Sequence, residues 1–120
     1  MSSCAGDSFV DSKMEEIAGD YTILSAAIGG HLIDVYSLAE AGRHARLYKE
    51  KGGWFFEFRL PASVSDGEVR LRSCKQEITY EPLLGDYLFV LPTEGDFMGY
   101  DTGAKKVVIK GNQAASWRKE

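Results

Sequence analysis

The 120-residue sequence is poor in cysteine, proline and histidine, and it lacks a long apolar run. Its two cysteines, Cys4 and Cys74, are too few for a disulfide framework or a four-thiolate zinc site; they read as free thiols, with one bridge as the alternative. The two histidines, His31 and His44, have no carboxylate or second histidine at metal-ligand spacing and read as surface or rim residues, so no metal and no other cofactor is expected. No apolar stretch approaches the roughly 20 residues needed to cross a bilayer. The first residues have neither the basic start nor the apolar core of a secretory signal, and position 2 is not the glycine of a myristoylation motif. A cytoplasmic location and no membrane partner are expected. Positive charge is also in short supply: 14 Lys and Arg against 18 Asp and Glu leave a net −4, which argues against nucleic acid as the main partner.

What the sequence does have is aromatic residues, at 12%, and 13 glycines, a composition suited to short strands and tight turns. The chain reads as organised around Arg43–Leu60. Two runs able to be strands flank Gly52-Gly53, which supplies the positive φ angles of a two-residue hairpin turn. In the second run Trp54, Phe56, Phe58 and Leu60 share one face, and Glu57 and Arg59 the other. Four large apolar side chains are more than a lone hairpin can hide, so further strands must close over them.

Residues 1–8 are small and polar and are expected to be a disordered tail, with 9–120 forming a single domain. A short helix fits 12–18: Ser12 and Glu15 make a capping box, Val10, Met14 and Ile17 lie on one side, and Gly19 is a natural stop. Strands are then expected at Tyr21–Ile28 and His31–Ala39, across the hairpin, and, after a loop at Ser63–Gly67, along Val69–Tyr80. In that last run the apolar phase switches from Val69 and Leu71 to Ile78 and Tyr80, which predicts a bulge or turn near Lys75–Glu77. Asp86–Leu91, closed by Pro92, then Phe97–Asp101, Lys105–Lys110 and Ala114–Lys119 complete eight to ten short strands. Short connections make neighbours pair antiparallel. The expected fold is all-β: an up-and-down meander closing into a barrel, with a two-sheet sandwich as the alternative.

Motifs for chemistry are few. Asp101-Thr102-Gly103-Ala104 matches the D-T-G-A string of aspartic proteases but stands too near the end of the sequence, and it reads as a polar turn. Cys74 has no nucleophile motif around it, although Arg72 and Lys75 would lower its pKa. The paired glycines are not phosphate loops. Arg43, Arg46, Lys49 and Lys51 on one strand, with Arg70, Arg72 and Lys75 on another, would make a single-strand nucleic-acid groove beside Tyr48 and Trp54 only if those strands were neighbours; a solvated exterior is the simpler reading. No catalytic residue is assigned, and the balance leans against an enzyme.

Three short stretches together resemble the calycins, the lipocalin and fatty-acid-binding protein group. Lys13-x-x-x-Ile17-Ala18-Gly19-Asp20-Tyr21 resembles that group's short helix and first-strand G-x-W, with Tyr21 where tryptophan usually stands. Gly85-Asp86-Tyr87 resembles the T-D-Y of a later strand, and Ala115-Ser116-Trp117-Arg118 the last-strand segment whose arginine packs across the first-strand aromatic. Such a guanidinium–aromatic stack contributes about 0.5–2 kcal/mol.

The resemblance implies a calycin-like barrel that binds a small hydrophobic or aromatic ligand without catalysis. Tyr21, Ile23, Trp54, Phe56, Phe58, Tyr87, Phe89 and Arg118 are the candidate ligand-binding residues, with Arg118 or Tyr36 as polar anchor. An interior of at least a few hundred Å³ is what such a site requires. The alternative is a small β module whose aromatics fill the core and whose surface binds a protein partner, of inhibitor or immunity type.

Overall fold

The computed structural model describes residues 4–89 and 97–120. Among them a helix, α1 (Cys4–Ile17), precedes nine strands: β1 (Gly19–Ile28), β2 (His31–Ile33), β3 (His44–Glu50), β4 (Gly53–Ser65), β5 (Glu68–Glu81), β6 (Asp86–Phe89), β7 (Phe97–Asp101), β8 (Lys106–Lys110) and β9 (Gln113–Lys119). All pairings are antiparallel, in the order β2-β1-β3-β4-β5-β6-β7-β8-β9, and β9 pairs back onto β1. β1 and β3 to β9 thus close an eight-stranded up-and-down barrel, with β2 as an appended strand, and the sandwich alternative is set aside.

Alternation decides what fills it. Trp54, Phe56, Phe58 and Leu60 of β4 are all buried, and they meet Tyr21 and Ile23 of β1, Leu47 of β3, Ile78 of β5, Phe89 of β6, Val107 of β8 and Trp117 of β9. Each such side chain contributes about 1.5–3 kcal/mol by leaving water.

α1 caps one end, called proximal here, by inserting the buried Met14 and Ile17. The carbonyls of Glu16 and Ile17, which have no partner within the helix, are met from the barrel, and that of Lys13 takes a second donor there. Tyr87 Oη donates to Lys13 O at 3.1 Å, Lys119 Nζ to Glu16 O at 2.8 Å, and Tyr21 Oη to Ile17 O. The helix stops where Gly19 turns out at φ +132°.

Several expectations are corrected. α1 begins at Cys4, well before the expected start at residue 12, and takes in residues 4–8 assigned to a tail. Tertiary contacts outweigh the capping signal at Ser12: the Phe9 ring lies 5.8 Å from that of Tyr80, and Asp11 accepts hydrogen bonds from Lys49 Nζ (2.8 Å) and Trp54 Nε1 (3.0 Å). The central turn is Lys51-Gly52, with φ values of 51° and 84°, and Gly53 already pairs with Glu50 in the ladder. The expected loop at 63–67 narrows to the two residues Asp66-Gly67, both at positive φ, because β4 runs on to Ser65.

The expected strand His31–Ala39 stops at Ile33. Asp34 Oδ1 accepts the Tyr36 backbone N–H at 3.0 Å and turns the chain into two 3₁₀ turns, Val35–Ser37 and Glu40–Arg43. The bulge foreseen near Lys75–Glu77 lies instead on β4, between Pro61 and Ser63, and β5 runs straight past it. Val69 and Leu71 therefore face the side opposite Ile78. The end of the strand expected at Leu91-Pro92 lies outside the described residues.

Candidate binding site

The residues expected to hold a ligand come together. Tyr21, Ile23, Trp54, Phe56, Phe58, Tyr87 and Phe89 are all buried in one cluster. Yet they hold one another. The Phe56 ring lies 5.4 Å from Tyr21, 5.3 Å from Phe58, 5.8 Å from Phe89 and 5.4 Å from Trp117, mostly edge to face. Centroid separations of that size are direct ring contact. Among the described residues the middle of the barrel is occupied by its own side chains.

Arg118 is not among them. Trp117 points inward and is fully buried, so its neighbour points outward and is exposed. The expected stack of Arg118 on Tyr21 is replaced by Trp117 packed on Phe56 and Phe58, the latter at 5.0 Å. Parity along 114–119 was the signal that would have exchanged the two roles. Among the described residues Trp117 Nε1, which is buried, has no hydrogen-bond partner. Tyr36, the other suggested anchor, is exposed, with the Arg43 guanidinium 6.0 Å over its ring.

The electrostatics follow from burial and contact. Desolvation at the proximal end, with Glu16 nearby, pushes the Tyr87 phenol up to about 12, and burial raises Tyr21 likewise. Asp11 is held below the usual carboxyl range by its hydrogen bonds from Lys49 and then Trp54. Burial pushes the Cys74 thiol up, against the lowering by Arg72, which is the reverse of what an activated nucleophile needs. Asp101 Oδ1 accepts from Gly103 N (2.9 Å) and Ala104 N (3.1 Å), so the D-T-G-A string is a side-chain-closed turn. Among the described residues no group of three or more His, Cys, Asp and Glu side chains is placed to hold a metal ion.

The outer wall of β3, β4 and β5 carries Tyr48 opposite Phe55, but β4 separates the two basic strands. The cross-strand row Asp20–Arg46–Glu57–Lys75 alternates in sign over four strands, and Lys75 Nζ reaches Glu50 at 2.7 Å. Opposite charges directly across strands stabilise a sheet and cancel one another's field. A polyanion finds no unbalanced positive stripe there.

Exposed apolar residues gather elsewhere. Leu83 (93% exposed) and Leu84 stand on the turn between β5 and β6, flanked by Glu81 and Asp86. More concave is the distal end, opposite α1. There the β4–β5 hairpin extends beyond the barrel and turns Val64 and Val69 toward Ile28, Leu32 and Ile33 of the β1–β2 hairpin, leaving a cleft of about 560 Å³. Leu32 is 85% exposed and Val64 55%. His31, Asp34 and Ser37 supply the polar part of the lining.

The floor of this end is built from the 3₁₀ turns. Leu38 is buried beneath them, Arg43 Nε donates to Leu38 O at 3.1 Å, Arg59 donates to Ala41 O, and Gly42 lies so close to Leu71 that a Cβ there would collide with Leu71 Cδ1. Nothing in the linear pattern marked Leu32 and Val64 as partners, because each looks like an ordinary strand residue until the two hairpins are set side by side. Among the described residues no helix is long and apolar enough to cross a membrane. Comparisons with protein-family models, with curated proteins and with solved structures find no match to this chain.

Proposed function

We propose that this chain is a non-catalytic binding module that engages a protein partner through its distal cleft. The observation that carries the reading is the division of apolar residues. The rings of Tyr21, Phe56, Phe58, Phe89 and Trp117 use up the interior, while Leu32 and Val64 leave apolar surface open at the mouth. Contiguous exposed apolar surface around a concavity is the usual mark of an interaction site. A calycin kinship fits the closed barrel with a helix at one end, but the packing favours a ligand at the mouth over one inside. A cytoplasmic setting suits the free Cys74 thiol.

The test is selection of binding peptides from a displayed library on the folded protein. Binders are expected that are lost with Leu32→Asp and Val64→Asp and retained with Phe55→Ala on the outer wall. Failure to select any binder, or binders indifferent to the cleft substitutions, would refute the assignment. A second reading, a small hydrophobic or aromatic ligand in the same cleft, is favoured by its volume, which falls in the range of about 300–1,000 Å³ typical of ligand sites. Saturable fluorescence of an anilinonaphthalene sulfonate, abolished by the same two substitutions, is its expected result.

A further inference from the structure

The barrel wall is incomplete on the distal side. β1 pairs with β3 only over Gly19–Thr22 and with β2 over Ala26–Ile28. β3 in turn pairs with β4 only through Gly53–Glu57. Beyond Glu57 that edge of β4 has no strand beside it among the described residues. Arg59, bonded to Ala41 O, ties the 3₁₀ segment against its first part, and Ala62–Ser65 continue past it. Among the described residues β2 is also paired on one side only. Two strand edges, His31–Ile33 and Ala62–Ser65, therefore border the cleft that Leu32 and Val64 line.

Alternate backbone N–H and C=O groups along each edge point away from the paired neighbour. Neither edge carries a lysine or a carboxylate, but Pro61 and the bulge between Pro61 and Ser63 interrupt the β4 edge at its start, so the part of that edge left open is Ser63–Ser65.

We propose that the partner's docking element is an extended segment of about four residues that adds as a strand against Ser63–Ser65, antiparallel to β4, with alternate apolar side chains entering the cleft. Main-chain hydrogen bonds supply affinity in this mode, and the side-chain pockets supply selectivity. A small apolar molecule would bury the same side chains but leave both edges without partners, and a peptide held by side chains alone would do likewise. The inference rests on the binding-module reading but fails separately from it.

The experiment takes a peptide selected on the folded protein and replaces each residue in turn by its N-methyl counterpart, leaving the protein unchanged. Each lost main-chain hydrogen bond is expected to weaken binding about three- to tenfold, at every second position, with the intervening positions indifferent. Amide exchange at Val64, whose N–H points away from β5, should slow on binding. A flat N-methyl profile on a peptide that still competes at Leu32 and Val64 would overturn strand addition and leave the module reading standing. Binding of only the naphthalene sulfonate, or occupation of the edges by a second copy seen as a concentration-dependent dimer, would overturn it as well.

Discussion

Replacing Phe56 by alanine tests the packing on which the functional reading depends. This ring is fully buried and touches Tyr21, Phe58, Phe89 and Trp117. Truncation removes the transfer free energy of a benzyl group and leaves a cavity that close-packed neighbours refill only in part, for a loss of about 3–5 kcal/mol. For a domain of this size that corresponds to a fall in Tm of roughly 10–20 °C. Urea unfolding followed by the fluorescence of buried Trp117 and Trp54 would show a lower midpoint at unchanged slope. The second arm is more telling. The dry, apolar space created should accept benzene or indole, and saturating ligand at about 100 times its Kd should return about 2.7 kcal/mol to the variant. Wild-type protein should gain nothing from the same ligand at the barrel's centre. A loss below about 1 kcal/mol, or equal stabilisation of both proteins that persists when Leu32→Asp and Val64→Asp block the cleft, would show that the rings do not fill the interior and would restore the case for an internal site.

Two pH dependences follow from the proximal end. Asp11 has a folded value below its ordinary 3.8, so the contribution of its bonds to Lys49 and Trp54 is present above that ordinary value and is lost as pH falls through the lower folded one. Acid titration should show a Trp54 emission change that Asp11→Asn lacks; identical curves would refute the contact. Tyr87 is raised to about 12, so its contribution is complete below the phenol's ordinary 10.0 and fades as pH rises through 12. Tyr87→Phe should flatten the stability loss between those values, read by unfolding midpoints alongside tyrosinate absorbance.

How much of this was legible in the sequence differs from element to element. The β4 stripe, the closing strands and the antiparallel meander follow from period-2 alternation and short connections, which need no tertiary information. The turn at Lys51-Gly52 slipped by one residue because lysine here accepts a left-handed φ that pattern reading reserves for glycine. His31–Ala39 alternates well enough to be a strand, but the Asp34 side chain competes for the Tyr36 N–H and wins locally. The phase switch between Leu71 and Ile78 was a true signal given the wrong cause. Both faces of β5 bury apolar groups because Leu71 packs on the 3₁₀ turns while Ile78 faces the lumen, and the extra residue sits across the ladder on β4. The cleft was the least legible feature, since it exists only where two hairpins distant in the chain converge.

The seam between β1 and β9 has a consequence for biosynthesis. Ile23 waits for Trp117, and Ser25 for the hydroxyl of Ser116 at 2.8 Å, across nearly the whole length of the chain. A nascent chain emerging from the ribosome therefore carries β1 with an unzipped margin, and Tyr21 without its full aromatic surroundings, until Gln113–Lys119 has been translated. Contacts so far apart in sequence make closure slow. Protection of β1 during synthesis falls to its local partners β2 and β3, and a stall before residue 113 would release a sticky open sheet for chaperones to handle.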